Sequence, residues 1–477
     1  MLEVTHGFRH HAETQRPRFP DPFGKLRASL TLGRSTFKRA AVEDMVAEQG
    51  NYCKDMLSTD RCDKFAPKCV TAAQDIFETM LNKISVKNFR SIKSAELELA
   101  PITVLYGPTA SGKSSLLYAP LVLRNFVTNP GQSVDAFFNL GFINLGGFES
   151  CIFDHEMNKS VEISLSGEIN GERLSYGVSF SKDTAEITAG LGDFQMRGKV
   201  TLPYALNQSF PFPFVEDEEE YTVTWNGLAV STVIPKTETD LSLQKARSIA
   251  VRLNQTSELL NSLDIAPHRR GFFKPQYQTT TLSTLPTSED EVASIIINNQ
   301  YLAAKISRYS EEICDRDFRT YTLPGTQQYR FQTSDKEGKI AVDIVNDGFG
   351  INQIMYLWTK ILRNEVRTEL IEEPEAHLHP SIVRRFARTL AKLVEEQGNE
   401  KQVILATHSE QFVASLLVAV SEKILPSGHI RCYLSDKSGK STTFQPQKVN
   451  DDGQIEGGLV TFVESQLEDL KSLFGIS

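Results

Sequence analysis

The sequence predicts an α/β protein with a central parallel sheet and polar loops at the carboxyl ends of its strands. Three observations lead to this fold class. A glycine-rich loop joins the apolar run 101–106 to a helical pattern that begins near Ser115. Glu372 and Glu373 end a second apolar run, and a Thr-His-Ser triplet at 407–409 ends a third. Because ligands bind at the carboxyl ends of the strands in such sheets, we expect the three segments to meet.

The glycine-rich loop has the G-x-x-x-x-G-K-[ST] spacing of a phosphate-binding loop. It consists of Gly107, Pro108, Thr109, Ala110, Ser111, Gly112, Lys113, Ser114 and Ser115. Glycines let successive backbone N–H groups point at phosphate oxygens, and the following helix adds its positive end. We expect Lys113 to reach the β- and γ-phosphates of ATP and Ser114 to bind Mg²⁺. The alternative is a simple glycine-rich turn, which the strand–loop–helix context disfavours. Pro120 is expected to kink or end the helix within about two turns.

The acidic pair follows a strand-like run that Arg367 and Glu369 interrupt. We expect Glu372 to bind Mg²⁺, directly or through water, and Glu373 to orient the attacking water. Both roles are electrostatic, since phosphoryl transfer needs little covalent help from the protein. The alternative is a solvated acidic turn before a helix, where glutamate is favourable. The presence of the phosphate-binding loop favours the catalytic interpretation.

Histidines follow two of the strand-like runs. His377 and His379 come soon after the acidic pair, but no third ligand at zinc spacing is apparent. His408 ends the third apolar run, where its side chain could hydrogen-bond the γ-phosphate or the attacking water. The alternative for His408 is a strand-end histidine bonded to a backbone carbonyl. The candidate catalytic residues are therefore Lys113, Glu373 and His408.

Several segments resemble the OLD-like and RecF-like AAA ATPases of prokaryotes, which are related to SMC proteins. Residues 84–92 resemble the opening strand of RecF and SMC ATPases. Residues 372–380 resemble the E-E-P-E-x-x-L-H-P run of the OLD-like group, and 407–409 match its switch histidine. Residues 346–353 are similar to its G-F-G-x-x-Q signature loop. The resemblance covers residues 83–477.

The resemblance implies an ABC-type ATPase head that hydrolyses ATP with Mg²⁺. Two such heads sandwich two ATP molecules, so a homodimer on ATP binding is implied. The signature loop of one head faces the γ-phosphate of the other, which implies nucleotide contacts for Gly348 and Gly350. A glycine-rich turn that caps a helix is the alternative. Residues 264–270 resemble a G-P-x-R segment of the family, so Arg269 or Arg270 is expected to approach a phosphate, unless they are only an exposed pair.

The sequence departs from the family at several positions. Asn352 stands where a serine is expected in the signature loop, and Thr109 stands where asparagine is usual. The sequence contains neither the L-S-G-G-Q of ABC transporters nor a clear Q-loop glutamine, although Phe148 and Glu149 mark the corresponding region. These departures keep a second function open. It is a nucleotide-sensing regulatory or interaction module with little turnover.

Four regions are predicted along the 477 residues. Residues 1–79 form an N-terminal extension that is either disordered or not native, in which case the protein starts at Met80. Residues 80–165 form the N-terminal half of the head with the phosphate loop. Residues 166–335 form a β-rich lobe with a short helical insertion. Residues 336–477 form the C-terminal half of the head, with the signature loop, the acidic strand, the switch histidine and a C-terminal extension.

Composition restricts the partners. The formal charge of −9 at pH 7 argues against a generally basic nucleic-acid coat but leaves room for a local basic groove. No apolar run reaches membrane-spanning length, and the six cysteines lack metal-ligand spacing, which is typical of a cytoplasmic protein with reduced thiols. Residues 410–477 leave little room for the Toprim domain of OLD nucleases, so none is expected. Family relatives act in DNA repair and in defence against phages or plasmids, so DNA or a separate effector or nuclease is the expected partner.

Overall fold

The computed structural model describes most of the chain beyond residue 78. The described residues are 79–213, 220–335, 337–338, 340–456 and 458. The expectations for residues 1–78 and for the end of the C-terminal extension, residues 459–477, therefore fall outside the described residues.

The described residues form eighteen β-strands and nine α-helices. The strands are β1 (Thr79–Phe89), β2 (Ile92–Glu98), β3 (Ile102–Tyr106), β4 (Val161–Ile169), β5 (Glu172–Phe180), β6 (Thr184–Leu191), β7 (Phe194–Thr201), β8 (Gln208–Pro213), β9 (Glu220–Trp225), β10 (Val230–Pro235), β11 (Leu263–Ala266), β12 (Arg316–Thr322), β13 (Tyr329–Asp335), β14 (Ala341–Asp343), β15 (Thr368–Glu372), β16 (Gln402–Thr407), β17 (Ile430–Ser438) and β18 (Ser441–Gln447). The helices are α1 (Lys113–Thr128), α2 (Phe148–Cys151), α3 (Asp240–Gln255), α4 (Glu258–Asn261), α5 (Glu289–Ile297), α6 (Gln300–Cys314), α7 (Phe349–Ile361), α8 (Pro380–Gln397) and α9 (Glu410–Ser421).

The central sheet has the strand order β11-β15-β16-β3-β17-β18. Its first five strands are parallel, and β18 pairs antiparallel with β17. Every residue of β3, β15 and β16 is buried, as expected of parallel strands covered on both faces. The predicted α/β fold class is confirmed. Because parallel strands share one carboxyl edge, the loops that follow β3, β11, β15 and β16 lie side by side.

A second sheet is antiparallel and has the order β2-β1-β4-β5-β6-β7. Its strands β4 and β7 alternate buried and exposed residues, the pattern of strands with one face on the core. The sequence-based boundary between residues 165 and 166 falls inside β4, because the β-rich region continues the sheet that β1 and β2 begin. Helix α1 contacts β1 and β4 of this sheet and β16 of the central sheet, so it lies between the two sheets.

Helix α1 does not end at its proline. It continues from Pro120 to Thr128, so of the two expected outcomes, a kink or an end, the end is wrong. Pro120 is buried together with most of the helix. Packing between two sheets therefore outweighs the hydrogen bond that a proline removes.

The remaining elements extend this core. Strands β8–β10 form a small antiparallel sheet, and α3 packs against β10. Helices α5 and α6 pack on α7, and β12–β14 form a further small sheet beside α6. None of the helices in the described part of the chain is long and apolar enough to cross a bilayer.

Candidate functional site

The loop after β3 is held tightly by the last two strands. Gly107 and Gly112 have φ values of 139° and 92°. A Cβ atom on Gly107 would lie 2.2 Å from the carbonyl oxygen of Ser435 in β17, and one on Gly112 would lie 2.4 Å from Oγ1 of Thr442 in β18. The hydroxyl of Ser435 also donates to the carbonyl oxygen of Ser111 at 2.7 Å. Glycine is therefore required at both positions by conformation and by space.

Lys113 lies at the centre of the loop. Its Nζ donates to the carbonyl oxygens of Gly107 at 2.9 Å and Pro108 at 2.8 Å, and to Oγ of Ser111 at 3.3 Å. Burial lowers the pKa of Lys113, and the nearby carboxylate of Glu373 opposes this shift. A cationic donor inside a ring of loop atoms is the arrangement that phosphate binding requires.

Glu372 ends β15 and is 4% exposed. Both of its carboxylate oxygens accept from the hydroxyl of Tyr118, at 2.9 Å each. The backbone N–H of His268 donates to Oε2 at 3.3 Å. Burial and the Glu372 charge raise the pKa of Tyr118, so its hydroxyl stays protonated and remains a donor. A buried carboxylate held by two neutral donors is suited to a cation.

Glu373 lies between two histidines. Its φ is 44°, a left-handed conformation that is uncommon outside glycine, and its N–H donates to the carbonyl oxygen of Ala406 at 2.7 Å. Nδ1 of His408 lies 3.4 Å from Oε1, and Nδ1 of His268 lies 2.7 Å from Oε2. Glu375, which is largely buried, accepts from the hydroxyl of Thr407 at 2.7 Å, and burial raises its pKa. The turn after β15 thus brings together several acidic and imidazole groups.

The three segments chosen from the sequence share one cavity of about 770 Å³. Its lining includes residues 109–115 of the loop, the acidic pair Glu372 and Glu373, and His408. The structure therefore brings the loop, the acidic pair and the histidine together, as expected from the sequence. The cavity has room for a nucleotide, since ligand pockets typically measure about 300–1,000 Å³.

Sequence reasoning missed several residues of this cavity. They are Arg90, Ser91, Asp154, His155, Lys437 and Lys440. Arg90 and Ser91 lie within the family-like segment 84–92, which offered a signal. The lysines lie at the β17–β18 turn, where no motif marks them. His268 and Tyr118 were also missed, although Tyr118 stands four residues after Ser114 and so shares its face of α1.

Two other expectations have different outcomes. Arg270 is buried and donates to the carbonyl oxygens of Glu372 at 2.6 Å and Glu373 at 2.7 Å. Arg270 therefore fixes the acidic turn, and for this residue the expected phosphate contact is corrected to a structural one. For Arg269, which is exposed, the phosphate contact stays a prediction. Gly348 and Gly350, at the start of α7, are not among the residues that line the cavity. Their contact with a nucleotide on a second copy stays a prediction.

The departure at Asn352 has a structural reason. Its amide nitrogen donates to the carbonyl oxygen of Phe272, and its amide oxygen accepts from the Phe272 N–H, both at 2.7 Å. Gln353 donates to the carbonyl oxygen of Arg270 at 2.5 Å. The signature helix α7 is thereby tied to the segment that carries His268. His379 instead caps α8 through Ser381.

A parallel sheet with a phosphate loop, an acidic strand end and a strand-end histidine at one cavity defines the P-loop ATPases. A family model described as "AAA ATPase domain" matches residues 80–170 and 232–413, which is more than half of the chain. The chain belongs to this family.

The chain is also similar to the OLD nuclease of Thermus scotoductus. The two are 24% identical over 353 residues, which cover 70% of this chain and 60% of that protein. The chain thus spans 60% of the length of this curated relative. Together with the family match, this confirms the resemblance to OLD-like AAA ATPases.

Solved structures with similar folds are SMC heads. The SMC head domain from Thermotoga maritima has a TM-score of 0.38 and 14% identity, covering 77% of this chain and 98% of that one. A SmcHead bound to the C-winged helix domain of ScpA has a TM-score of 0.44 and 12% identity, with coverages of 78% and 98%. A Smc head domain with an extended coiled coil, bound to the C-terminal domain of ScpA derived from Pyrococcus furiosus, has a TM-score of 0.42 and 10% identity, with coverages of 83% and 99%.

Proposed function

We propose that this protein is a Mg²⁺-dependent, ATP-hydrolysing switch of the RecF/OLD-like type. ATP closes two copies into a dimer with two nucleotides between them, and hydrolysis reopens it. The observation that carries the proposal is the shared cavity of the phosphate loop, the acidic pair and His408.

The donor set fits a magnesium ion. Mg²⁺ prefers oxygen ligands and usually takes one or two carboxylates, with water and substrate phosphates completing its shell. The hydroxyl of Ser114 and the carboxylate of Glu372 are the proposed protein ligands, and both residues line the cavity. The bound ion would neutralise negative charge that develops on the phosphates during hydrolysis.

The other residues act by position and charge. Lys113 binds the β- and γ-phosphates in place of the loop carbonyls that it now contacts. Glu373 orients the attacking water through a carboxylate oxygen, and His408 donates a hydrogen bond to the γ-phosphate or to the water. Backbone N–H groups of residues 109–115, which line the cavity, complete the phosphate cradle.

The dimer is proposed from the signature loop. Gly348 is exposed and begins α7 without a side-chain cap. Its own N–H donates to Oδ1 of Asp347 at 2.9 Å, so the N–H groups of Phe349 and Gly350 are the ones proposed to face an anion. A γ-phosphate held by a second copy is the proposed anion, in contact with Gly348 and Gly350.

The proposed biological role and partners are based on similarity to related proteins. We place the protein in the cytoplasm of a prokaryote, in DNA repair or in defence against phages or plasmids. DNA or a separate effector, such as a nuclease, is the proposed partner. The similarity to a protein named OLD nuclease supports this assignment.

The test is ATP turnover by the full chain, with and without DNA, beside Lys113→Ala and Glu373→Gln. Both substitutions should lower turnover by about 100-fold or more. Lys113→Ala should also weaken ATP binding, whereas Glu373→Gln should bind ATP and accumulate a dimer. Lys392→Ala, an exposed lysine on α8, is the control and should match the wild type.

A nucleotide-sensing module with little turnover is the second candidate. It is favoured by Asn352, which is buried in contacts with Phe272 and is not displayed to a partner. In that case, ATP would still bind and dimerise the protein, but Glu373→Gln would change neither the turnover nor the dimer lifetime.

A further inference from the structure

We propose that His268 is a positioning residue that orients the carboxylate of Glu373 for hydrolysis. This inference rests on the proposed role of Glu373. It assigns a function to a side chain that stands outside the family-like motifs of the acidic strand and the switch histidine.

Sheet topology places His268 at the acidic turn. β11 pairs in parallel with β15, with Ala266 opposite Ile371. His268 follows the end of β11 by two residues, so it arrives beside the residues that follow β15. On the other side of β15, β16 delivers His408 in the same way, since Ala406 lies opposite Glu372. Glu373 is therefore flanked by an imidazole from each neighbouring strand.

The two histidines differ in what they face. His408 lines the cavity with Glu373, but His268 is not among the lining residues. His268 contacts Glu373 more closely, with 2.7 Å between Nδ1 and Oε2, against 3.4 Å between His408 Nδ1 and Oε1. His268 thus contacts the carboxylate from behind, meaning from outside the residues that line the cavity, and its side chain is 53% exposed.

A hydrogen-bond donor from His268 can fix the orientation of the Glu373 carboxylate. The terminal torsion of a glutamate is broad, so an unrestrained carboxylate rotates through many directions. An N–H of His268 bonded to Oε2 fixes that oxygen and leaves Oε1 for the attacking water. A group that orders a reactive side chain in this way raises the rate without binding the substrate.

The segment that carries His268 is itself fixed. Arg270 bonds the carbonyl oxygens of both acidic residues, and Gln353 of α7 bonds the carbonyl oxygen of Arg270. The backbone N–H of His268 also reaches Oε2 of Glu372. Because this last contact uses the main chain, substitution of the His268 side chain leaves it in place.

The test compares His268→Ala and His268→Asn with the wild type in the full chain. Asparagine places an amide nitrogen as many bonds from Cα as Nδ1, so it can still donate to Glu373. His268→Ala should lower kcat by about 10- to 100-fold, since a misplacement of about 1 Å in a reacting geometry can cost about 100-fold. His268→Asn should retain most of the turnover. KM for ATP and the affinity for a fluorescent ATP analogue, measured by titration, should be unchanged in both.

The matched control is His429→Ala. Its Nδ1 lies 2.7 Å from Oε2 of Glu395, and both side chains are similarly exposed, but neither lines the cavity. This variant should behave as the wild type in turnover, nucleotide affinity and thermal unfolding.

Three results would overturn the inference. In the first, His268→Ala turns over ATP like the wild type, whereas Glu373→Gln does not. The proposed function then stands, but the positioning role of His268 is excluded. In the second, His268→Ala and His268→Asn lose turnover and nucleotide affinity together, which indicates a structural role. In the third, Glu373→Gln has wild-type turnover, and the proposed function falls with the inference.

Discussion

At the scale of single residues, the magnesium candidate Glu372 depends on Tyr118. Glu372 could be identified from the sequence because it ends an apolar run. The loop residues could be identified because they form a motif of fixed spacing within a short segment. Tyr118 carries no such signal, and the family-like segment 264–270 directed attention to its arginines rather than to His268. The importance of both residues arises only when α1 and β11 lie beside β15. Short-range chemistry was therefore predictable, and the groups that orient it were not.

Tyr118→Phe should raise the Mg²⁺ concentration needed for half-maximal ATP turnover. The substitution removes the hydroxyl that donates to both oxygens of Glu372 and leaves the ring packed. Loss of such a group behind a metal ligand typically costs about 10- to 100-fold in metal affinity. A Mg²⁺ titration of turnover at saturating ATP measures the effect.

Tyr433→Phe is the control for this prediction. Its hydroxyl donates to the carbonyl oxygen of Glu98, and the residue does not line the cavity. An equal shift in both variants would show that the Tyr118 hydroxyl has no special relation to the metal.

At the scale of elements, the phosphate loop depends on strands from the far end of the chain. Sequence periodicity predicted the strand before the loop and the helix after it. It gave no indication that β17 and β18 press against Gly107 and Gly112, because that contact joins segments without a shared motif. Sequence periodicity also gave no indication of the contact made by α7. Asn352 replaces the serine expected in the signature loop, and in the structure it hydrogen-bonds the backbone of Phe272.

Gly107→Ala should destabilise the protein and abolish ATP binding. The new Cβ would lie 2.2 Å from the carbonyl oxygen of Ser435, and φ is 139°. Backbone strain of this kind costs about 1–3 kcal/mol before the steric clash is added. Thermal unfolding and titration with a fluorescent ATP analogue measure the two effects.

Gly131→Ala separates the cost of backbone strain from the cost of a steric clash. Gly131 also has a positive φ, of 76°, but a Cβ there would meet nothing within 4 Å. It should lose only about 1 kcal/mol and keep its ATP affinity. If the two variants unfold at the same temperature, the close approach of β17 is not what requires glycine at position 107.

At the scale of the whole molecule, the central sheet buries an acidic residue away from the cavity. Glu369 of β15 is fully buried, and neither of its carboxylate oxygens has a hydrogen-bond partner among the described residues. It lies opposite Asp264 of β11, and burial raises its pKa to about 8. Glu369 looked like an interruption of a strand in the sequence, and its burial follows only from sheet topology.

Stability should fall as the pH rises from 5 to 8, and Glu369→Gln should remove most of this fall. Between pH 4.5 and about 8, folded Glu369 keeps a proton that the unfolded chain has released. The free energy of unfolding therefore decreases with pH in this window, by up to about 1.4 kcal/mol per pH unit. Glutamine resembles the neutral carboxyl, so this variant lacks the dependence. Thermal unfolding at each pH measures it.

Glu238→Gln, at an exposed position, controls for the loss of a charge. It should show the same pH dependence as the wild type. The pH series stays below pH 8, because burial lowers the pKa of Lys401 to about 8 and its titration affects stability above that pH. An identical decline in the wild type and Glu369→Gln would assign the pH dependence to other groups.

The position of β3 between β16 and β17 also governs how the protein is made. The phosphate loop leaves the ribosome early, but both strands that flank β3 are synthesised only from Gln402 onward. At about 5–20 residues per second, the loop waits for a time on the order of half a minute. During that interval, the nascent chain exposes an apolar strand with two open edges and has no nucleotide site. A chain that ends before Gln402 therefore lacks both neighbours of β3 as well as His408, and we expect it not to bind ATP.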